Sequence, residues 1–152
     1  MKHKKHLLIL VALLVTSLLV AGCGSTEAPA GETGGGEAAL TVTGSVDEEL
    51  SLTMGDLEGM DTAEVDYEDK DGNVETYTGV PVNDLLAETG LGNDASMISF
   101  VASDGYSADL DLAELEGCGD CVVAFDDGEL RMVLPGFSGK VQVKGVVELQ
   151  AK

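Results

Sequence analysis

Apolar residues fall into three regimes along this chain. Leu7 to Val20 is a continuous apolar run broken only by Thr16 and Ser17, residues 24–39 show no apolar periodicity, and from Leu40 onward short apolar segments alternate with polar ones. In the third regime Leu40, Val42 and Val46 alternate with Thr41, Thr43 and Ser45, which predicts an opening half-buried strand. Leu50 to Thr53 reads as a second extended piece, and Met54 to Met60 as one or two helical turns with Met54 and Leu57 inward. Val65–Asp69 and Val74–Thr78 flank Lys70-Asp71-Gly72-Asn73, the residues of a hairpin turn. Gly79-Val80-Pro81 is expected to break the second of these strands. Val82, Leu85 and Leu86 then keep helical spacing as far as Gly90, a stop signal.

The second half continues in the same style. Met97–Ala102 reads as a strand with Ile98 and Phe100 on one face, turned by Asp104-Gly105 into a partner carrying Tyr106, Ala108 and Leu110. Asp111–Glu116 is a short acidic helix. Cys121–Phe125 and Glu129–Leu134 pair across Asp126-Asp127-Gly128, Pro135–Gly139 is a Gly-rich loop, and Val141–Leu149 is the closing strand with a bulge expected at Gly145. Many short strands with brief helices between them predict one β-rich α+β domain over residues 40–152.

The first regime has a different meaning. Lys2, Lys4 and Lys5 precede the apolar run, and Val20-Ala21-Gly22 leads into Cys23. A basic start, an apolar stretch short for a comfortable span and small residues at the cut describe a secretory signal. Leu19-Val20-Ala21-Gly22-Cys23 resembles the lipobox of bacterial lipoproteins, in which the cysteine is lipidated and the chain is cleaved before it. That resemblance implies a signal peptide over residues 1–22 and lipidation at Cys23. The mature chain would then be tethered to the extracytoplasmic face of a bacterial membrane, since two acyl chains anchor stably. Residues 23–39 would be the lipidated flexible tether, too polar and Gly-rich to bury a core, with a reach of roughly 20–25 Å.

Maturation at Cys23 would change the available chemistry. Both histidines, His3 and His6, precede it, so the mature chain would lack imidazole, excluding Ser-His-Asp catalysis and His-ligated zinc. Five cations would remain against 28 carboxylates, a net charge of −23. Such a surface repels nucleic acid and anionic lipid. There is no tryptophan and aromatics are 4% of the chain, which argues against stacking platforms for sugars or bases.

Three blocks carry a second resemblance: "YTGVPVNDLL" (Tyr77–Leu86), "ISFVASDGYSADLDL" (Ile98–Leu112) and "LRMVLPGFSGKVQVKGVVEL" (Leu130–Leu149). In order and spacing they are similar to the oxidoreductase molybdopterin-binding domain of the sulfite oxidase family, including its standalone bacterial forms. The resemblance implies that fold and, in the family's enzymes, a molybdenum-ligating cysteine in the loop before the first block. Here Thr62–Thr76 contains no cysteine. The family's exported enzymes also travel folded behind a twin-arginine signal, whereas this start reads Lys-His-Lys-Lys-His. Both departures point to a domain that kept the fold and lost the metal.

Three candidate sites follow. Arg131, Lys140 and Lys144 fall close together around Pro135–Gly139, whose glycines could present N–H groups to an anion. By resemblance Gly136, Gly139 and Lys144 lie beside the pterin, while Asp104 and Tyr106 face the ligand side. The alternative is that the three cations pair individually with surrounding carboxylates. Cys118-Gly119-Asp120-Cys121 reads first as a small-loop disulfide, with a redox pair or a cofactor ligand as the other readings. Asp69–Asn73 lacks the flanking ligands of a calcium loop and reads as a turn.

Two functions are therefore expected to compete. One is a non-catalytic, membrane-anchored module binding a small anion or a partner protein. The other is a molybdopterin-dependent oxidoreductase or an accessory redox protein working with a membrane redox partner.

Overall fold

The computed structural model of the protein describes residues 36–152. The expected signal peptide over residues 1–22, the expected lipidation site Cys23 and the expected tether as far as residue 35 lie outside the described residues. The elements, in order, are β1 (Leu40–Gly44), β2 (Leu50–Leu52), α1 (Met54–Glu58), β3 (Ala63–Glu68), β4 (Val74–Pro81) and α2 (Val82–Thr89). They continue with β5 (Met97–Ala102), β6 (Ser107–Asp111), α3 (Leu112–Glu116), β7 (Val122–Asp126), β8 (Glu129–Val133) and β9 (Val146–Ala151). Two sheets result, a five-stranded one in the order β2-β1-β9-β5-β6 and a four-stranded one in the order β3-β4-β7-β8. This is a β-rich α+β architecture.

Among the described residues one contiguous core joins both sheets and the three helices. Leu40, Val42, Ile98, Phe100 and Leu149 come from the first sheet, and Val80, Val123, Leu130 and Met132 from the second. Leu57, Leu85 and Leu115 insert from α1, α2 and α3. The alternation read in β1 has its cause here, since Leu40 and Val42 are fully buried. The outer face of the first sheet is polar. Thr43 donates to Glu148 at 2.6 Å, and Ser99 on β5 donates to its cross-strand partner Asp109. Hydrogen bonds from Ser99, and then from Lys152 at 3.3 Å, hold the Asp109 carboxyl below its usual range.

Helix α1 is only five residues long and is held by its start. The Thr53 hydroxyl accepts from the Asp56 N–H at 3.2 Å, and the Asp56 carboxylate accepts from the Thr53 N–H at 2.9 Å. Hydrogen bonds from Thr53 keep the Asp56 carboxyl below its usual range. The Asp69–Asn73 turn is closed by Asp69, which accepts from the backbone of Asp71 and Asn73 at 2.8 and 2.9 Å.

The structure corrects two expectations. Gly79-Val80-Pro81 does not break a strand. β4 runs through it, leaving β3 and pairing with β7 as Gly79↔Ala124, Val80↔Val123 and Pro81↔Val122. Gly79 permits this crossing, because a Cβ there would lie 2.3 Å from the Val123 carbonyl oxygen. The closing strand is likewise not continuous over Val141–Leu149. Residues 141–144 run beside β8 instead, with the Met132 N–H donating to the Val143 carbonyl at 2.7 Å. The Gln142 amide bonds both the N–H and the C=O of Leu134, at 2.9 and 2.6 Å. Gly145, at φ +62°, then turns the chain into the other sheet as β9. The bulge falls at Val147, since Ala102 pairs with Val146 and Val101 with Glu148.

Candidate functional site

On β8, Leu130 and Met132 enter the main core, so Arg131 and Val133 point to the sheet's other face. That face is not solvent. Val65, Val122, Ala124 and Val133 form a second buried cluster there, flanked by Ala63, Tyr67 and Tyr77. Arg131 stands opposite Ala124, and its side chain is only 8% exposed. Its guanidinium carbon lies 4.6 Å from the centroid of the Tyr77 ring. One terminal nitrogen donates to the Tyr77 hydroxyl at 2.7 Å and to the Asp126 carboxylate at 3.3 Å. The Nε is buried without a hydrogen-bond partner. The Tyr77 hydroxyl in turn donates to Glu75 at 2.6 Å, which pushes its pKa up; burial adds to that and Arg131 opposes it.

Lys144 is the cross-strand neighbour of Arg131, through a single bridge where residues 143–144 pass the edge of β8. The two backbones are adjacent, but the Arg131 guanidinium reaches across β7 to Tyr77 on β4, away from that edge, and Asp126 is its counter-charge. Lys144 and Lys140 are exposed and make no ion pair among the described residues. Lys140 belongs to a different neighbourhood, where its carbonyl accepts from the Tyr106 hydroxyl at 2.9 Å. Tyr106 also takes its N–H to the Asp104 carboxylate at 2.8 Å, so Asp104, Tyr106 and Lys140 tie the β5–β6 turn to the Gly-rich loop. Gly136 and Gly139 are exposed in that loop. Arg131 with Lys144 and Tyr106 with Lys140 are therefore two pairs.

Sequence reasoning missed Tyr77 and Asp126, the two residues that hold Arg131. One signal was available. Leu130-Arg131-Met132-Val133-Leu134 is apolar on both sides of the arginine, the mark of a strand covered on both faces.

Cys118 and Cys121 are joined, with their Cα atoms 5.6 Å apart. Backbone and amide bonds fasten the loop they close. The Val82 N–H donates to the Cys121 carbonyl at 3.0 Å, and the Asn83 side chain donates to the Cys118 carbonyl at 3.1 Å. Cavities among the described residues lie elsewhere. One, of about 360 Å³, is between α2 and the end of α3; another, of about 210 Å³, is bounded by Ala39, Met54, Ser103, Glu129 and Val147.

These residues do not fit a thiolate-held molybdenum. Both cysteines among the described residues are bonded to each other, and the one buried arginine is engaged by Tyr77 and Asp126. Among the described residues no cluster of three His, Cys, Asp or Glu side chains is placed to hold a metal ion.

The fold has a known counterpart. The structure is similar to the crystal structure of the sulfane dehydrogenase SoxCD from Paracoccus pantotrophus, with a TM-score of 0.61 and 21% identity. The match covers 74% of this chain and 37% of that one, so this chain spans little more than a third of its counterpart's length. At that identity the likeness is one of fold. No protein-family model matches the sequence, and no curated protein matches it.

Proposed function

We propose that this protein is a membrane-anchored extracytoplasmic lipoprotein whose domain, of the sulfite-oxidase molybdopterin-binding type, is a non-catalytic module for a small anion. The three sequence blocks and the fold shared with the sulfane dehydrogenase support the domain type. The observation that carries the anion reading is the pairing of Arg131 with Lys144 on adjacent backbone. Lys144 offers an exposed charge that makes no ion pair among the described residues. Arg131 offers a fixed one, partly neutralised by Asp126. On a chain this acidic such an edge is where an anion is least repelled.

The test uses inorganic sulfate and phosphate as probes. Arg131 is built into the fold, so Lys144→Ala is the clean variant. It is expected to weaken binding about tenfold, about 1.4 kcal/mol, with thermal stability unchanged. Metal analysis and absorbance of protein isolated from its native membrane address the competing oxidoreductase reading, which molybdenum or a pterin band would restore. Anchoring is tested separately. Cys23→Ala is expected to release the folded domain from membranes, and retention after a high-salt wash would overturn the lipoprotein reading.

A further inference from the structure

A second surface carries the opposite character. Between Lys70 and Arg131 the sequence has sixty residues without a lysine or arginine, and they contain fourteen carboxylates. The fold uses this stretch to build α2, α3 and the disulfide loop, and a groove of about 360 Å³ opens between them. Its lining is mostly apolar: Leu86, Ala87, Gly90 and Leu91, with Asn83 and Glu116 at the polar end. Asn83 also reaches across to the carbonyls of Glu116 and Cys118, so α2 and the loop wall are held at a fixed separation. Asp84 and Glu88 are exposed on α2, Glu114 and Glu116 on α3, and Asp120 in the disulfide loop. Among the described residues none of these five makes an ion pair.

An apolar floor between unneutralised carboxylates selects its occupant by chemistry. A second copy of this chain would bring the same carboxylates and no cation on these elements. Nucleic acid and anionic lipid are excluded for the same reason. A segment with leucine-like side chains flanked by lysine or arginine satisfies both features, the apolar part filling the floor and the cations meeting the rim. We propose that this groove is the docking site for a basic, amphipathic segment of a partner protein. The proposal is independent of the anion edge at Arg131 and Lys144.

The experiment uses the full chain in nanodiscs of zwitterionic lipid, with empty nanodiscs as the blank. The probes are two fluorescent peptides of equal length and charge, one of leucine and lysine and one of glycine and lysine. The leucine–lysine peptide is expected to bind at least tenfold more tightly. Ala87→Lys places a cation in the groove from an exposed helix position and is expected to weaken that binding more than tenfold. Ser107→Lys, an equal charge change on exposed β6, is expected to alter it less than twofold. Equal binding of the two peptides, equal effects of the two substitutions, or no binding of the leucine–lysine peptide would each overturn the proposal.

Discussion

The Arg131 guanidinium lies over the ring of Tyr77 and also donates to the hydroxyl of that ring, so one aromatic residue holds the cation by its face and by its edge. The two contributions are separable. Tyr77→Phe keeps the ring and removes a hydrogen bond to a charged group, at an expected cost of about 1.5 kcal/mol. Tyr77→Ala also removes the ring and its packing against Val65 and is expected to cost about 3 kcal/mol. Urea denaturation of the two variants measures both. Equal costs would mean that the ring face contributes nothing.

The same tyrosine sets an alkaline limit. Its folded pKa is raised above the usual phenol value, chiefly by the hydrogen bond to Glu75. A group raised on folding contributes stability that is complete below its unfolded pKa, about 10, and is lost as pH rises through the folded value. The stability difference between the natural protein and Tyr77→Phe should therefore be constant from pH 7 to 9 and shrink above pH 10. A difference that widens with alkali would contradict the assignment.

Glycine positions divide by what surrounds them. Gly79→Ala would drive a Cβ into the Val123 carbonyl and the Ala124 Cα, both backbone, so neither can rotate aside. Its expected cost is about 3 kcal/mol, at the upper end of ordinary overpacking. Gly139→Ala meets nothing within 4 Å, at a φ that alanine adopts, and should leave the melting temperature within a degree or two. Thermal melts of the two variants side by side are the measurement.

Breaking the Cys118–Cys121 bond should cost little. A loop this short removes little entropy from the unfolded chain, which puts the loss near the low end of the roughly 0–5 kcal/mol range. The bonds from Val82 and Asn83 to the loop carbonyls persist without it. Denaturation of the Cys118→Ser, Cys121→Ser double variant tests this, and a loss above about 3 kcal/mol would show the bond to be a main brace of α2.

Much of this architecture is legible from local signals. Met97–Ala102 is read to the residue, and the turns at Asp69–Asn73, Asp104-Gly105 and Asp126–Gly128 are where their residue types place them. The expectations that fail depend on partners distant in sequence. Gly79 and Pro81 look like breakers until β7 arrives to pair with them, and Gly145 is a corner between sheets rather than a bulge within one. At the candidate site, charge alone suggests a basic surface loop. The second buried face behind β8 is assembled from β3, β4 and β7, and it takes Arg131 inward, away from Lys140.

The parallel pairing of β1 with β9 has a consequence for the order in which this domain can be assembled. Thr41 and Glu148 are register partners more than a hundred residues apart, and β9 fills the middle of its sheet, between β1 and β5. Until residues 146–151 are available, the first sheet exists only as two separate strand pairs, β2–β1 and β5–β6, each marginal by itself in water. Closing so long a loop is also slow. A polypeptide threaded through a membrane N-terminus first would therefore leave its five-stranded sheet in two pieces until residues 146–151 had crossed.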